Sequence, residues 1–502
     1  MNSPFALLSL IVAIPFFGLL FVLTAKDDEE NVGRNAFNVC VFSILANIIL
    51  IWRIFMIIDE DSPVLQLQEH FQWLATPRID ILLGIDTFSL LLILAVHLAV
   101  LIGLSGVRRD TYKQKSLMVF TLLFLSMSTG FFVAADIFSF YIFFEGMLLP
   151  LFMITGMFGA VKKQGLIYRF FLYNFLGAML LFSAIMLIYH YHGALTLEQL
   201  RHLKIAPQVA YYIWAAVFLS FLSRIPIWPF HYWISSINAG IRNPLAFIIT
   251  VLMPLTGIYG FLRFLPDSIP QPVEYYLTWI NVIGVVTMLF IALIGFINKD
   301  SQYKVFSYIT VYYIMYLLGV FMHDKLILLN IGFSLFSFIL IVATLEVLAN
   351  HIARKEEAYD VSSTGALCRV RRLSFAYSYL TIAAIGMPLS AVFLNNFLIL
   401  SRLLASNIKM GMVLIASLAL VGGTLLQELY KHKTENPSCP INQDDDISKP
   451  MFAFMLFIIF ILLMSFIKPL WFGGRALALC LVGTAGVLSY LPSSSSAFSS
   501  NH

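Results

Sequence analysis

Residues 140–150 read FYIFFEGMLLP. One carboxylate, Glu145, stands among aromatic and aliphatic side chains, with no cation beside it in the sequence. Reading outward, the apolar run extends over roughly 136–160, long enough to cross the ~30 Å of hydrocarbon in a bilayer. Similar runs recur from end to end of the 502-residue chain, which is 60% hydrophobic and 12% charged, with mean hydropathy +0.88. A soluble protein carries roughly twice that charged fraction. The pattern is that of an all-α polytopic membrane protein.

Apolar runs set against charged breaks predict about fourteen spanning helices, at 4–24, 35–58, 79–104, 116–134, 136–160, 166–190, 209–232, 243–265, 273–297, 303–322, 325–349, 373–401, 409–430 and 450–469. A short segment at 475–491 reads as one more helix or an interfacial piece. The first run lacks a basic leader and a small-residue cleavage site, so it reads as a retained helix. Basic residues cluster after the third helix (Arg108, Arg109, Lys113, Lys115), the fifth (Lys162, Lys163, Arg169), the ninth (Lys299, Lys304) and the eleventh (Arg354, Lys355, Arg369, Arg371, Arg372). The positive-inside rule then puts the N-terminus outside, although the acidic loop KDDEENVGR (26–34) runs against that order. The polar stretches 351–372 and 431–449 read as surface connections, the first able to hold a short helix, and the serine-rich tail as disordered.

The net charge of +4 is small and dispersed, which excludes nucleic acid as a natural partner. Cys40, Cys368, Cys439 and Cys480 lie far apart without metal- or haem-binding spacing, and no glycine-rich nucleotide fingerprint is present. The expectation is a chain with no cofactor or metal of its own.

A carboxylate at mid-membrane depth costs several kcal/mol unless paired, hydrated or protonated, and such acids mark ion or proton pathways. Glu145 lies about ten residues into its run, so the bland reading, a helix-end acid among headgroups, fits poorly. The second constellation is SRIPIWPFHYW, 223–233. Pro226 and Pro229 interrupt a helix and free backbone carbonyls, with Arg224 just before the break and His231 just after it. Discontinuous helices carrying ionisable groups line ion pathways in transporters. The bland counterpart is a proline kink with Arg224 snorkelling to an interface. Weaker pathway candidates are Asp86 and Asp136, which equally suit first-turn acids, and Lys304, which equally suits an interfacial anchor. His97 reads either way, as a pathway group or a satisfied core histidine. GMPLSAVFLNNF (386–397) supplies a second broken helix, with Pro388 and the neutral pair Asn395 and Asn396.

Several of these groups together resemble one family. GIDTFSL (84–90), FYIFFEGMLLPLF (140–152), RFFLYNFLGAMLL (169–181), PIWPFHYW (226–233) and YGFLRF (259–264) are similar to the antiporter-like membrane subunits of respiratory complex I, nearest the chain M (ND4) type. The resemblance implies two inverted five-helix repeats, each with a broken helix, over 111–265 and 266–430. These are flanked by N-terminal helices in 1–110 and a C-terminal loop, helix and tail in 431–502. It also implies a lateral polar axis along which protons move by a carboxylate–lysine–histidine relay. Quinone reduction in other subunits drives that relay. Glu145 matches the family glutamate and His231 the histidine after the first break.

Departures accompany the match. Arg224 stands where the family has lysine; an arginine biases a neighbouring carboxyl but does not hand a proton on. Leu255, Tyr313, Ile331 and Asn396 fall where the family has charged or ionisable residues. ISSINAGIRNPLAF (234–247) replaces the usual proline–aspartate pattern. The expected function is therefore a proton-translocating subunit without its own redox centre. It would sit in a bacterial inner membrane rather than a mitochondrial one. Its partners would be the lipid bilayer and sibling membrane subunits, and it would meet NADH and quinone only through them. Two other readings stay open: a paralogue serving cation/proton antiport or inorganic-carbon uptake, and a non-conducting structural subunit.

Overall fold

The computed structural model describes residues 6–24, 32–59, 64–74, 79–107, 113–158, 164–193, 196–200, 206–231, 241, 243–264, 273–298, 301–322, 324–359, 367, 370–388, 390–433 and 446–471. In chain order the elements are α1 (Leu7–Thr24), α2 (Val32–Phe55), β1 (Gln66–Leu74), β2 (Ile79–Ile85), α3 (Thr87–Ser105), α4 (Gln114–Val133), α5 (Ile137–Gly146), α6 (Leu148–Phe158), α7 (Gln164–His192), α8 (Leu197–Leu200) and α9 (Pro207–Arg224). They continue with α10 (Pro244–Val251), α11 (Met253–Phe264), α12 (Val273–Ile297), α13 (Ser301–Phe321), α14 (Lys325–Tyr359), α15 (Arg371–Ala384), α16 (Ala391–Ser406), α17 (Ile408–Lys433) and α18 (Lys449–Trp471). Among the described residues, twelve stretches are long and apolar enough to cross a membrane, with α5–α6 and α10–α11 each counted as one. α9 lies at the expected span 209–232, and α15 and α16 divide the expected span 373–401.

Hydrocarbon offers backbone groups no partners, so helix starts and breaks must be satisfied by the protein itself. Two starts share one device, DTFS at 86–89 and DIFS at 136–139. Asp86 Oδ1 accepts from Ser89 N at 2.8 Å. Asp136 Oδ1 accepts from Phe138 N (2.9 Å) and Ser139 N (2.8 Å). Asn243 caps α10 in the same way, with Pro244 at the first helical position, where its missing N–H costs nothing.

Every residue from Pro244 to Phe264 is buried, and α13 is buried over nearly its whole length, so these helices form the centre. α1, α2, α17 and α18 are each less than half buried, and α1 and α2 present Phe17, Phe21, Phe42 and Trp52 outward, as lipid-facing helices do. In the centre, where lipid gives no hydrophobic drive between helices, close approach depends on small residues. At Gly257 a Cβ would sit 2.7 Å from the Phe221 carbonyl oxygen, and the hydrogen atom is what lets α11 lie against α9.

The expected span 79–104 begins only at Thr87. Residues Ile79–Ile85 instead pair antiparallel with Gln66–Leu74 as a hairpin. IDILLGI offers the two-residue alternation of a strand, and the capping Asp86 fixes the helix start behind it. The hairpin is tied to the bundle: Ala135 N donates to Leu82 O (2.8 Å), Leu82 N to Asp136 Oδ2 (2.8 Å), and Glu69 accepts from Leu8 N (2.7 Å), Ser9 N (2.9 Å) and the Ser9 hydroxyl. The possible surface helix in 351–372 is in part the continuation of α14 to Tyr359. The segment 475–491 and the tail lie outside the described residues.

Candidate functional site

α9 stops at Arg224, where Ile225 turns extended and Pro226 cannot continue the ladder. Its guanidinium is fully buried yet makes no ion pair with Glu145. Nη2 instead donates to Phe144 O at 3.0 Å, and the group stacks 3.9 Å over the Phe144 ring. Arg224 Nε and Nη1 and Glu145 Oε2 are buried without protein hydrogen-bond partners, while the two charges interact through space. Buried polar atoms of this kind are ones that water satisfies in protein interiors. Glu145 itself is half-buried, at the joint where α5 gives way to α6.

Asp86 does more than cap. Arg263, from α11, places Nη2 2.6 Å from Asp86 Oδ2, while its Nε donates to Tyr259 Oη (2.9 Å) and its Nη2 to Ser89 Oγ (2.6 Å). Tyr259 in turn donates to Phe132 O (2.9 Å), and its ring packs with Phe131, Phe132 and Phe140. Phe140 and Phe144 stack on each other, so an aromatic shell runs from the Asp86–Arg263 pair to the ring beneath Arg224. GIDTFSL and YGFLRF, far apart in sequence, are thus in direct contact.

Lys304 is not a free interfacial anchor. It lies in the first turn of α13 and donates to Glu428 Oε1 of α17 at 2.7 Å. Ser301 Oγ donates to the other carboxylate oxygen (2.7 Å), and His432 Nε2 is 3.8 Å from it. Both members of the pair are buried.

Two other helix interruptions are sealed by tyrosine. Tyr313 Oη donates to Val251 O (2.8 Å) where α10 gives way to α11 beside Pro254, and Tyr312 Oη donates to Ala384 O (2.9 Å) where α15 ends. Asn396 Nδ2 donates to Tyr312 Oη (3.2 Å), while Asn396 Oδ1 and both polar atoms of Asn395 are buried without partners. Pro388 lies in the break between α15 and α16, with Gly386 at φ +90°, a conformation glycine adopts without strain. Leu255 and Ile331 are buried apolar residues.

His231 makes no hydrogen bond or ion pair with Glu145 or Arg224. It packs edge-on to Phe290 of α12, in a cleft of about 450 Å³ shared with Trp228, Val286 and Thr287. Pro229 follows a cis peptide bond from Trp228. His97 has a partner on each ring nitrogen: Ile93 O at 2.9 Å and Asn47 Nδ2 at 3.0 Å. Asp136 spends its oxygens on the backbone and on Ser139. Within the described residues no cluster of three or more His, Cys, Asp or Glu side chains could hold a metal ion.

The family model for "NADH:quinone oxidoreductase/Mrp antiporter, TM" matches residues 134–422, more than half of the chain. The chain belongs to that family. Subunit M of NADH-quinone oxidoreductase from Rickettsia conorii is 23% identical over 436 residues, covering 85% of this chain and 87% of that one. Among solved structures, a chain of respiratory complex I from Thermus thermophilus superposes with a TM-score of 0.82 at 20% identity, covering 96% of this chain and 99% of the other. A chain of the Mrp complex from a Dietzia species gives 0.78 at 13% identity, covering 95% and 52%.

Family membership frames what the sequence reading missed. Arg263 lies inside YGFLRF, and its charge within an apolar run is the same kind of signal as Glu145. Glu428 lies where an apolar run meets the basic LYKHK, which disguised it as a loop acid. Glu346, 7% exposed within α14, is a further buried carboxylate on which that reading placed no weight.

Proposed function

We propose that this chain is the proton-translocating, antiporter-like membrane subunit of an NADH–quinone oxidoreductase-type complex, seated in a bacterial plasma membrane. Redox chemistry in other subunits drives it, and the bilayer and sibling membrane subunits are its direct partners. The observation that carries the reading is the half-buried Glu145 facing the fully buried Arg224 at an interrupted helix, in a member of this family. Glu145 is the proton carrier. Arg224 stays charged and sets the field at the carboxyl; at an effective dielectric of about 20 that field is worth a few kcal/mol at close range. Its bond to Phe144 O fixes where the charge sits relative to Glu145. His231, across the break, orders water or relays a proton near α12.

The test is Glu145→Gln in the complex purified from its own membranes and reconstituted into vesicles, with proton uptake followed by a pH-sensitive dye during NADH oxidation. A loss of uptake is expected; full uptake removes Glu145 from the mechanism. The purification also separates the alternatives. Co-elution with sibling oxidoreductase subunits supports the proposal, whereas co-elution with a soluble zinc protein alone moves the chain to inorganic-carbon uptake. A Glu145→Gln/Arg224→Met double variant that assembles and translocates normally makes the pair purely structural.

A further inference from the structure

The stripe Lys304, Tyr308, Tyr312, Tyr316 repeats every four residues along α13, so the four side chains share one helix face. All four are buried. Phe338 of α14 sits among the rings of Tyr308, Tyr312 and Tyr316, with centroids 5.6–5.7 Å away, and holds them in one column. The hydroxyls are differently engaged. Tyr308 Oη is buried with no protein partner, Tyr312 Oη bonds Asn396 and Ala384 O, and Tyr316 Oη meets Ser334 Oγ at 2.8 Å. At the head of the column stands the Lys304–Glu428 pair, in the turn that opens α13, with Ser301 and His432 beside the carboxylate.

We propose that Lys304 and Glu428 form a proton-loading pair that feeds a hydroxyl path along α13, through Tyr308, Tyr312 and Tyr316 to Ser334. The inference rests on the translocating role proposed above. It supplies that role with a route through the later half of the chain, where Asn396 carries no charge. The step conserves protons and needs no other reactant. A proton from the aqueous phase binds the Glu428 carboxylate, leaving the Lys304 ammonium without its counter-charge. Lys304 gives one N–H proton to water at Tyr308, and the Glu428 proton crosses their 2.7 Å hydrogen bond to restore ammonium and carboxylate. Successive residues of the stripe are one helical turn, ~6 Å, apart along the axis, and water between their hydroxyls carries the proton from one to the next. The unpartnered Tyr308 hydroxyl is the position that such a water satisfies.

Lys304→Arg separates conduction from clamping. Arginine keeps the ion pair with Glu428 but does not release a proton at physiological pH. The measurement is proton uptake per NADH oxidised in the reconstituted complex, for Lys304→Arg, for Tyr308→Phe/Tyr312→Phe, and for Glu145→Gln alongside. Lys304→Arg is expected to assemble in normal yield, and both path variants to lose the same share of uptake as Glu145→Gln. Full uptake in Lys304→Arg with loss in Glu145→Gln overturns the path and leaves a structural clamp. Loss in Lys304→Arg with full uptake in Glu145→Gln keeps the path and overturns the role given to Glu145; full uptake in both overturns both. If the double tyrosine variant fails to assemble, Tyr308→Phe alone decides, since that hydroxyl holds no protein partner to lose.

Discussion

Arg224 donates its 3.0 Å hydrogen bond to the carbonyl of Phe144, the residue immediately before Glu145. The cation is fixed to the backbone of the helix that bears the acid, not to the acid. A direct ion pair would hold the carboxylate charged. An offset cation biases it while leaving an oxygen for water, which a group that must gain and lose a proton requires.

Arg224→Met leaves Phe144 O without its donor and Glu145 without a compensating charge. The unsatisfied carbonyl alone costs about 1–3 kcal/mol. Arg224→Lys keeps the charge but loses the planar stack on Phe144. The expected order of proton uptake in reconstituted vesicles is wild type, then Lys, then Met; equal uptake in Met and wild type removes Arg224 from the site.

The Asp86–Arg263 pair is buried, and removing one partner strands the other. Asp86→Asn or Arg263→Met should destabilise the chain by roughly 3–5 kcal/mol, while Asp86→Leu combined with Arg263→Met recovers much of that loss. Thermal unfolding in mild detergent reads the difference. A double variant as damaged as either single one would mean that the charges do not compensate each other.

Gly257→Ala puts a methyl against the Phe221 carbonyl in the last turn before Arg224. The resulting strain of about 1–3 kcal/mol should lower the yield of assembled complex and pull Arg224 off the Phe144 ring. Wild-type yield together with wild-type uptake would show that α9 and α11 tolerate separation.

Tyr313→Phe deletes the donor to Val251 O at the α10–α11 joint. Faster hydrogen exchange confined to the residues around Leu252 is the expected result, at a cost of about 1–3 kcal/mol. Exchange unchanged there would mean that water replaces the hydroxyl without loss.

Much of this architecture is legible in residue order because a bilayer makes simple demands. Apolar length marks α4, α7 and α12, and prolines mark the joints after Arg224 and around Pro388. Lone charges drew attention to Glu145 and Lys304. Partnership was hidden. Nothing in GIDTFSL announces that Asp86 will meet Arg263, because α3 and α11 are joined only by tertiary packing. Tyr313 reads as a replacement for an ionisable group, whereas the fold uses it, like Tyr312 beside it, as a donor to a freed carbonyl, a role set by which carbonyl lies opposite. The hairpin was absorbed into a span because β2 is as apolar as the helix behind it, and its pairing depends on a polar strand several residues upstream.

Glu69 closes the amide end of α1 from 61 residues downstream of Leu8. During synthesis the first helix therefore waits with open amides until α2 is in place and the hairpin has emerged. Its opening turn becomes final only when the third helix is about to enter the membrane. The N-terminal segments are thus committed as a group, and a ribosome stalled between residues 55 and 66 would leave α1 inserted but unfinished.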